Sequence, residues 1–118
     1  MALKVLKKPW QFREVYDNGK KFDGKFVVVF YYRSGESDDG PQVGIVASKR
    51  VGNAVQRNRA RRLLRETAVR TLGGLSEPGL RIVLVARAAI LNSSFPALLD
   101  EAHALLTGAG LINKADSA

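Results

Sequence analysis

Apolar and polar positions along the 118-residue chain follow two periods, one helical and one of alternation. From Pro9 to Asn18 the residues Phe12, Val15 and Tyr16 recur at i, i+3 and i+4, which predicts a short helix with one apolar stripe. Proline suits its first turn and Gly19 the position just past its end. Phe26 to Tyr32 (FVVVFYY) is β-branched and aromatic throughout, so it predicts a strand with both faces at least partly covered. Phe26, Val28, Phe30 and Tyr32 share one of its faces; Val27, Val29 and Tyr31 share the other. A polar loop, Ser34 to Pro41, separates it from a second strand, Gln42 to Ser48, and the two are expected to form a hairpin. Ala54 to Leu72 predicts a long helix, Gly73 to Gly79 a loop, and Arg81 to Arg87 (RIVLVAR) a buried strand. A last helix is expected from Ser94, with Phe95, Leu98, Leu99, Ala102, Leu105, Leu106 and Ala109 on its apolar face. Gly108 and Gly110 are its stops.

This αββαβα order predicts an α+β fold, a two-layer sandwich of three helices and a mixed sheet of about four strands, the helices mainly on one side. The length sets one domain over residues 1–118, with a basic arm at 1–8 and a frayed tail at 113–118. No repeat or low-complexity tract interrupts it. The absence of cysteine excludes a disulfide framework and a thiolate metal site. No apolar run reaches the length of a membrane span, and Met1 to Lys8 lacks the apolar stretch of a signal peptide. The expected location is the cytoplasm.

Charge changes the picture. Nineteen Lys and Arg against eleven Asp and Glu give a formal +8. Lys49 to Arg70 contains eight basic residues and one acid, Glu66, so this segment holds nearly all the imbalance. A strongly basic balance favours polyanionic partners. Within the segment, Gly52 ends the strand-to-helix turn and Asn53 is a good N-cap, with Gln56 three residues on as in a capping box. Ala60, Leu63, Leu64, Thr67, Ala68 and Thr71 form the core-facing stripe, with its threonines at the margin. Asn58, Arg61, Arg62 and Arg65 fall at the same spacing on another face, with Arg57 and Arg59 alongside.

Several arginines therefore crowd the first turns, where the helix dipole favours acids, and repel one another by about 0.2–0.5 kcal/mol per pair. Local rules broken without internal compensation point to an external partner. Every basic residue of the helix is Arg, whose planar fork suits bidentate phosphate contact and base stacking. A salt-bridged surface helix would need acids at i±4, and only Glu66 is present. Binding to a membrane surface would need a free apolar face, and here that face is committed to the core. Nucleic acid fits best.

The stretch VGNAVQRNRARRLLRE, with its Arg57-Asn58-Arg59 triplet, closely resembles the signature of the bacterial ribonuclease P protein subunit. The likeness extends to the first helix with Phe12, the aromatic strand, the VG-x-x-x-SK strand from Val43 to Lys49, the IVLVAR strand and the closing helix. It implies a non-catalytic protein that binds a large catalytic RNA, one protein per RNA. Together they remove the 5′ leader from precursor tRNA. It implies that Lys49, Arg50, Asn53, Arg57, Asn58, Arg59, Arg61, Arg62 and Arg65 contact the RNA subunit. It further implies a cleft for the single-stranded leader at Phe12, Tyr16 and Phe30, with Ser48 and Lys49 at its edge. The family's left-handed βαβ crossover is implied too, against the usual right-handed rule.

Two departures stand out. Lys8-Pro9-Trp10 replaces the family's usual polar cap, and Trp10 is read as a hydrophobic staple rather than a stacking surface. Phe30 stands where the family often has Tyr, without a phenol to bond the leader. Aromatic stacking beside basic groups is a common way to hold single-stranded RNA, although such a stripe also serves as core.

No catalytic residue and no metal ligand is expected in the protein. His103, the lone histidine, is read as a surface residue beside Asp100, and Asp38-Asp39 as a solvated turn. Gly73-Gly74 follows a helix and lacks the Lys-Ser/Thr ending of a phosphate-binding loop. No cofactor is expected on the protein, and Mg²⁺ is expected to serve the RNA-containing holoenzyme. A scaffold RNA-binding protein and a DNA-binding architectural protein are the competing classes.

Overall fold

A computed structural model describes residues 4–35 and 40–112. Chain order is β1 (Lys4–Val5), α1 (Pro9–Asn18), β2 (Lys20–Asp23), β3 (Val27–Arg33), β4 (Gln42–Val46), α2 (Ala54–Leu72), β5 (Leu80–Ala86), a 3₁₀ turn (Ala88–Asn92) and α3 (Phe95–Gly108). The strands form one mixed sheet in the order β1-β4-β5-β3-β2. β4 and β5 run parallel, joined through α2, with Gly44 opposite Val83. β3 is antiparallel to both β5 and β2, with Phe30 opposite Val83 and Val29 opposite Phe22.

The three helices and the α+β mixed sheet match expectation, and the sheet has five strands rather than four. The expected hairpin does not form. β3 and β4 are separated by β5, because Ile82, Val83 and Leu84 are all buried and the strand covered on both faces takes the centre. Lys4–Val5 and Lys20–Asp23 become edge strands that the hydrophobic pattern does not reveal.

Two cores sit on opposite faces of the sheet. Val29, Tyr31, Ile82 and Leu84 pack with Ala60, Leu64, Ala68 and Leu72 of α2 and with Leu98 and Leu106 of α3. Val83 faces the other way and packs with Val15 of α1 and with Leu6, flanked by Phe12, Phe30, Tyr32, Val46 and Val85. A single ten-residue helix cannot cover that second face, so part of it stays open as a groove.

Local chemistry fixes the helices. The Asn53–Gln56 capping box forms in both directions at 2.8 and 2.9 Å, and the Ser94 hydroxyl accepts from Ala97 N–H at α3. Thr67 and Thr71 are buried rather than marginal, and each hydroxyl donates to the carbonyl four residues back at 2.8 Å. The Glu101 carboxylate of α3 accepts from the backbone N–H groups of Lys25, Phe26 and Val27, so it holds the β2–β3 turn against the helix layer.

Trp10 is not a staple. Its ring is half-exposed and lies 5.4 Å from the guanidinium carbon of Arg81. Arg81, buried on β5, is ion-paired through Nη1 to Glu14 of α1. His103 is half-buried rather than on the open surface, and its Nδ1 is shielded without a partner among the described residues. Asp38-Asp39, the 113–118 tail and the first three residues of the arm lie outside the described residues.

Candidate nucleic-acid interface

The β4–α2 turn decides the direction of the basic helix. Val51 N–H donates to Ser48 C=O at 3.0 Å, and Gly52 takes φ +148°, a value that side chains disfavour. A Cβ at Gly52 would lie 2.0 Å from Gln56 Oε1, so a larger residue there would also break the capping box. Arg57 Nη1 donates to Gly52 C=O at 2.8 Å and braces the same turn.

From this anchor α2 presents the cations. Lys49, Arg50, Arg59, Arg62 and Arg65 are exposed; Arg57 and Arg61 are half-buried. Arg61 Nη1 donates to Asn58 Oδ1 at 2.7 Å, which spreads the two side chains as one unit. Among the described residues, none of these seven cations is ion-paired to a carboxylate. Among the described residues the one ion pair on α2 is Arg70 with Glu66, at 2.9 Å and past the ridge. The charge concentration anticipated from sequence is thus a solvent-facing, unneutralised ridge. Asn53 differs from its neighbours, because its side-chain oxygen is engaged in the cap.

The open sheet face carries a row of rings. Tyr16 and Phe30 meet edge to face with centroids 4.9 Å apart, and Phe12 stands 6.5 Å from Tyr16. Burial pushes the Tyr16 phenol above its usual value of 10, so it remains a neutral hydrogen-bond donor at physiological pH. A depression of about 510 Å³ lies along Phe12, Tyr16 and Val46, with Lys7 and Arg13 at its rim. A second, of about 640 Å³, is floored by Val28, Phe30 and Val85, and Ser48 and Arg50 form part of its wall. Phe12, Tyr16, Phe30 and Ser48 are therefore brought together, and Lys49 lies on the adjoining turn without lining either depression.

Lys21 and Arg87, which the sequence reading missed, complete the second depression. Asp23 touches both, at 3.6 Å from Lys21 Nζ and 2.8 Å from Arg87 Nη2. The Arg ending the RIVLVAR run was the available signal for Arg87; Lys21 sits on a strand the pattern did not reveal.

Gly44 sets the depth of the row. A Cβ at this position would lie 2.5 Å from Phe12 Cε1, so only glycine lets that ring rest on β4. Gly44→Ala is expected to lift Phe12 and cost about 1–3 kcal/mol, within the range for overpacking. Urea denaturation measures the loss, and Phe12→Leu in the Gly44→Ala background is expected to recover part of it.

A cationic helix beside an aromatic groove with basic walls defines a small nucleic-acid-binding α+β protein. Comparison with known proteins narrows the class. The Ribonuclease P family model matches residues 2–110. The ribonuclease P protein component of Clostridioides difficile (strain 630) is 39% identical over 92 residues, 78% of this chain and 79% of that protein. Its counterpart in Symbiobacterium thermophilum is 37% identical over 109 residues, 92% and 93% of the two chains. The solved Staphylococcus aureus RNase P protein superposes with a TM-score of 0.78 at 26% identity, covering 95% of this chain and 100% of that one. The Thermotoga maritima RNase P protein gives 0.73 at 25% identity, covering 89% and 96%. The chain belongs to the ribonuclease P protein family. It is a protein component of that ribonucleoprotein endoribonuclease, and so an RNA-binding protein of tRNA processing.

Proposed function

We propose that α2 and the turn before it bind the catalytic RNA subunit, and that the aromatic groove holds the single-stranded 5′ leader of precursor tRNA. The unneutralised ridge carries this reading. Cations without internal partners contribute most when they neutralise phosphates and release counterions. Arg59, Arg62 and Arg65 supply that neutralisation on the helix, Arg57 and Arg61 support it, and Lys49 and Arg50 extend it towards the groove.

In the groove, Phe30 and Tyr16 offer ring faces and edges to unstacked bases, and the basic rim follows the leader backbone. The protein thereby aligns the leader beside the RNA active site and lowers the phosphate repulsion between RNA and substrate. Mg²⁺ serves the holoenzyme's RNA, and one protein works with one RNA in the cytoplasm. Among the described residues no cluster of three or more His, Asp or Glu is placed to hold a metal, and no helix is long and apolar enough to cross a membrane.

Phe30→Ala tests the groove. With the protein assembled on a bacterial ribonuclease P RNA, it is expected to weaken precursor tRNA binding about tenfold, as for the loss of one base stack, and to leave mature tRNA unaffected. Equal losses on both substrates would remove the leader from the groove.

A further inference from the structure

A third concavity, of about 370 Å³, lies on the other side of the sheet, between β1 and α2. Val5, Ile45, Ala68 and Val69 form its apolar lining, and Lys4 and Arg65 stand on its walls. Val5 and Val69 are 60% and 53% exposed, which is unusual for valines facing one groove. None of its lining residues is acidic.

Arg65 links this groove to the ridge, since it stands one helical turn beyond Arg61 and Arg62 and also walls the concavity. A second copy of the chain would set like charge against like, in a protein of formal charge +8. The matching occupant is a polyanion with a flat apolar portion. RNA has that chemistry, with phosphates to match Arg65 and flat bases that can turn out of a helix unpaired.

We propose that the β1–α2 groove receives an unstacked nucleobase of the RNA that binds the ridge. This rests on the reading of α2 as the RNA-binding face. The ridge supplies charge without sequence information; the groove adds a steric requirement for an unpaired nucleotide at a fixed distance from the contacted phosphates.

The test uses the full chain and a bacterial ribonuclease P RNA transcript. Val5→Gln/Val69→Gln removes apolar lining at two exposed positions without changing charge. Affinity is expected to fall about tenfold while the dependence on salt stays as in the parent, because no phosphate contact is lost. The methyl NMR signals of Val5, Ile45 and Val69 in the parent protein are expected to shift when the transcript is added. Unchanged affinity in a folded double variant, with Arg62→Ala still weakening binding, would overturn the groove and leave the ridge standing. If Arg62→Ala also had no effect on affinity or salt dependence, the reading of α2 would fail instead. Methyl shifts that follow protein concentration without RNA would assign the groove to a protein contact and overturn the proposal.

Discussion

Replacing Arg59 and Arg62 together by alanine is expected to weaken binding to a bacterial ribonuclease P RNA by about a hundredfold or more at moderate salt. Both side chains are exposed and, among the described residues, free of ion pairs, so neither substitution is expected to disturb the fold. A hydrogen bond to a charged group is worth about 1.5–3 kcal/mol, and two such contacts give the stated loss. The slope of log affinity against log salt is expected to flatten by about two units, one for each phosphate contact removed. Arg70→Ala is the control. Its guanidinium is engaged by Glu66 and stacks 5.3 Å from Phe95, so its loss is expected to change the slope little. Equal slopes for the double variant and its parent would show that these arginines do not meet phosphates.

The second large effect concerns the seat of α1. Glu14→Ala leaves the buried guanidinium of Arg81 without its carboxylate, under the Trp10 ring and with Nε already unpartnered among the described residues. Removing one member of a buried pair costs about 3–5 kcal/mol; Glu14 is partly open to solvent, so about 3 kcal/mol is expected. Urea denaturation would show a lower midpoint with little change in slope. The paired replacement Glu14→Leu/Arg81→Met is expected to recover most of the loss, because a well-packed apolar pair avoids desolvating two charges. A cost below about 1 kcal/mol for Glu14→Ala would mean that water screens the pair. Because α1 carries Phe12 and Tyr16, a loosened helix would also blunt the groove without touching its rings.

The contrast between these two sites explains what the sequence made legible. The ridge is local: Gly52, Asn53, Gln56 and the arginines all lie within one turn and one helix, and spacing alone places them on one face. The helix bounds at Pro9–Asn18 and Ala54–Leu72 follow from the same local signals of proline, caps and glycine. Strand pairing is non-local. Succession along the chain across the polar Ser34–Pro41 loop favoured a hairpin, whereas burial on both faces placed β5 between the two strands. β1 has two residues and β2 has three polar residues among four, too little pattern to separate either from a loop.

The Arg81–Glu14 pair was hidden for a related reason. An arginine at the start of an apolar strand reads as a solvated end, and only the crossing of α1 over the second sheet face buries it. The same crossing gives the first aromatic stripe two positions at once. Phe12 packs on β4 against Gly44 and also lines the groove with Tyr16.

The most direct test is the rate of 5′ leader release from a precursor tRNA by a bacterial ribonuclease P RNA at low Mg²⁺, with and without this protein. Added protein is expected to raise the rate strongly, and the Arg59→Ala/Arg62→Ala variant to lose most of that gain at the same concentration. A rate unaltered by the parent protein, or raised equally by both forms, would contradict a cationic helix that binds the RNA through its unpaired charge.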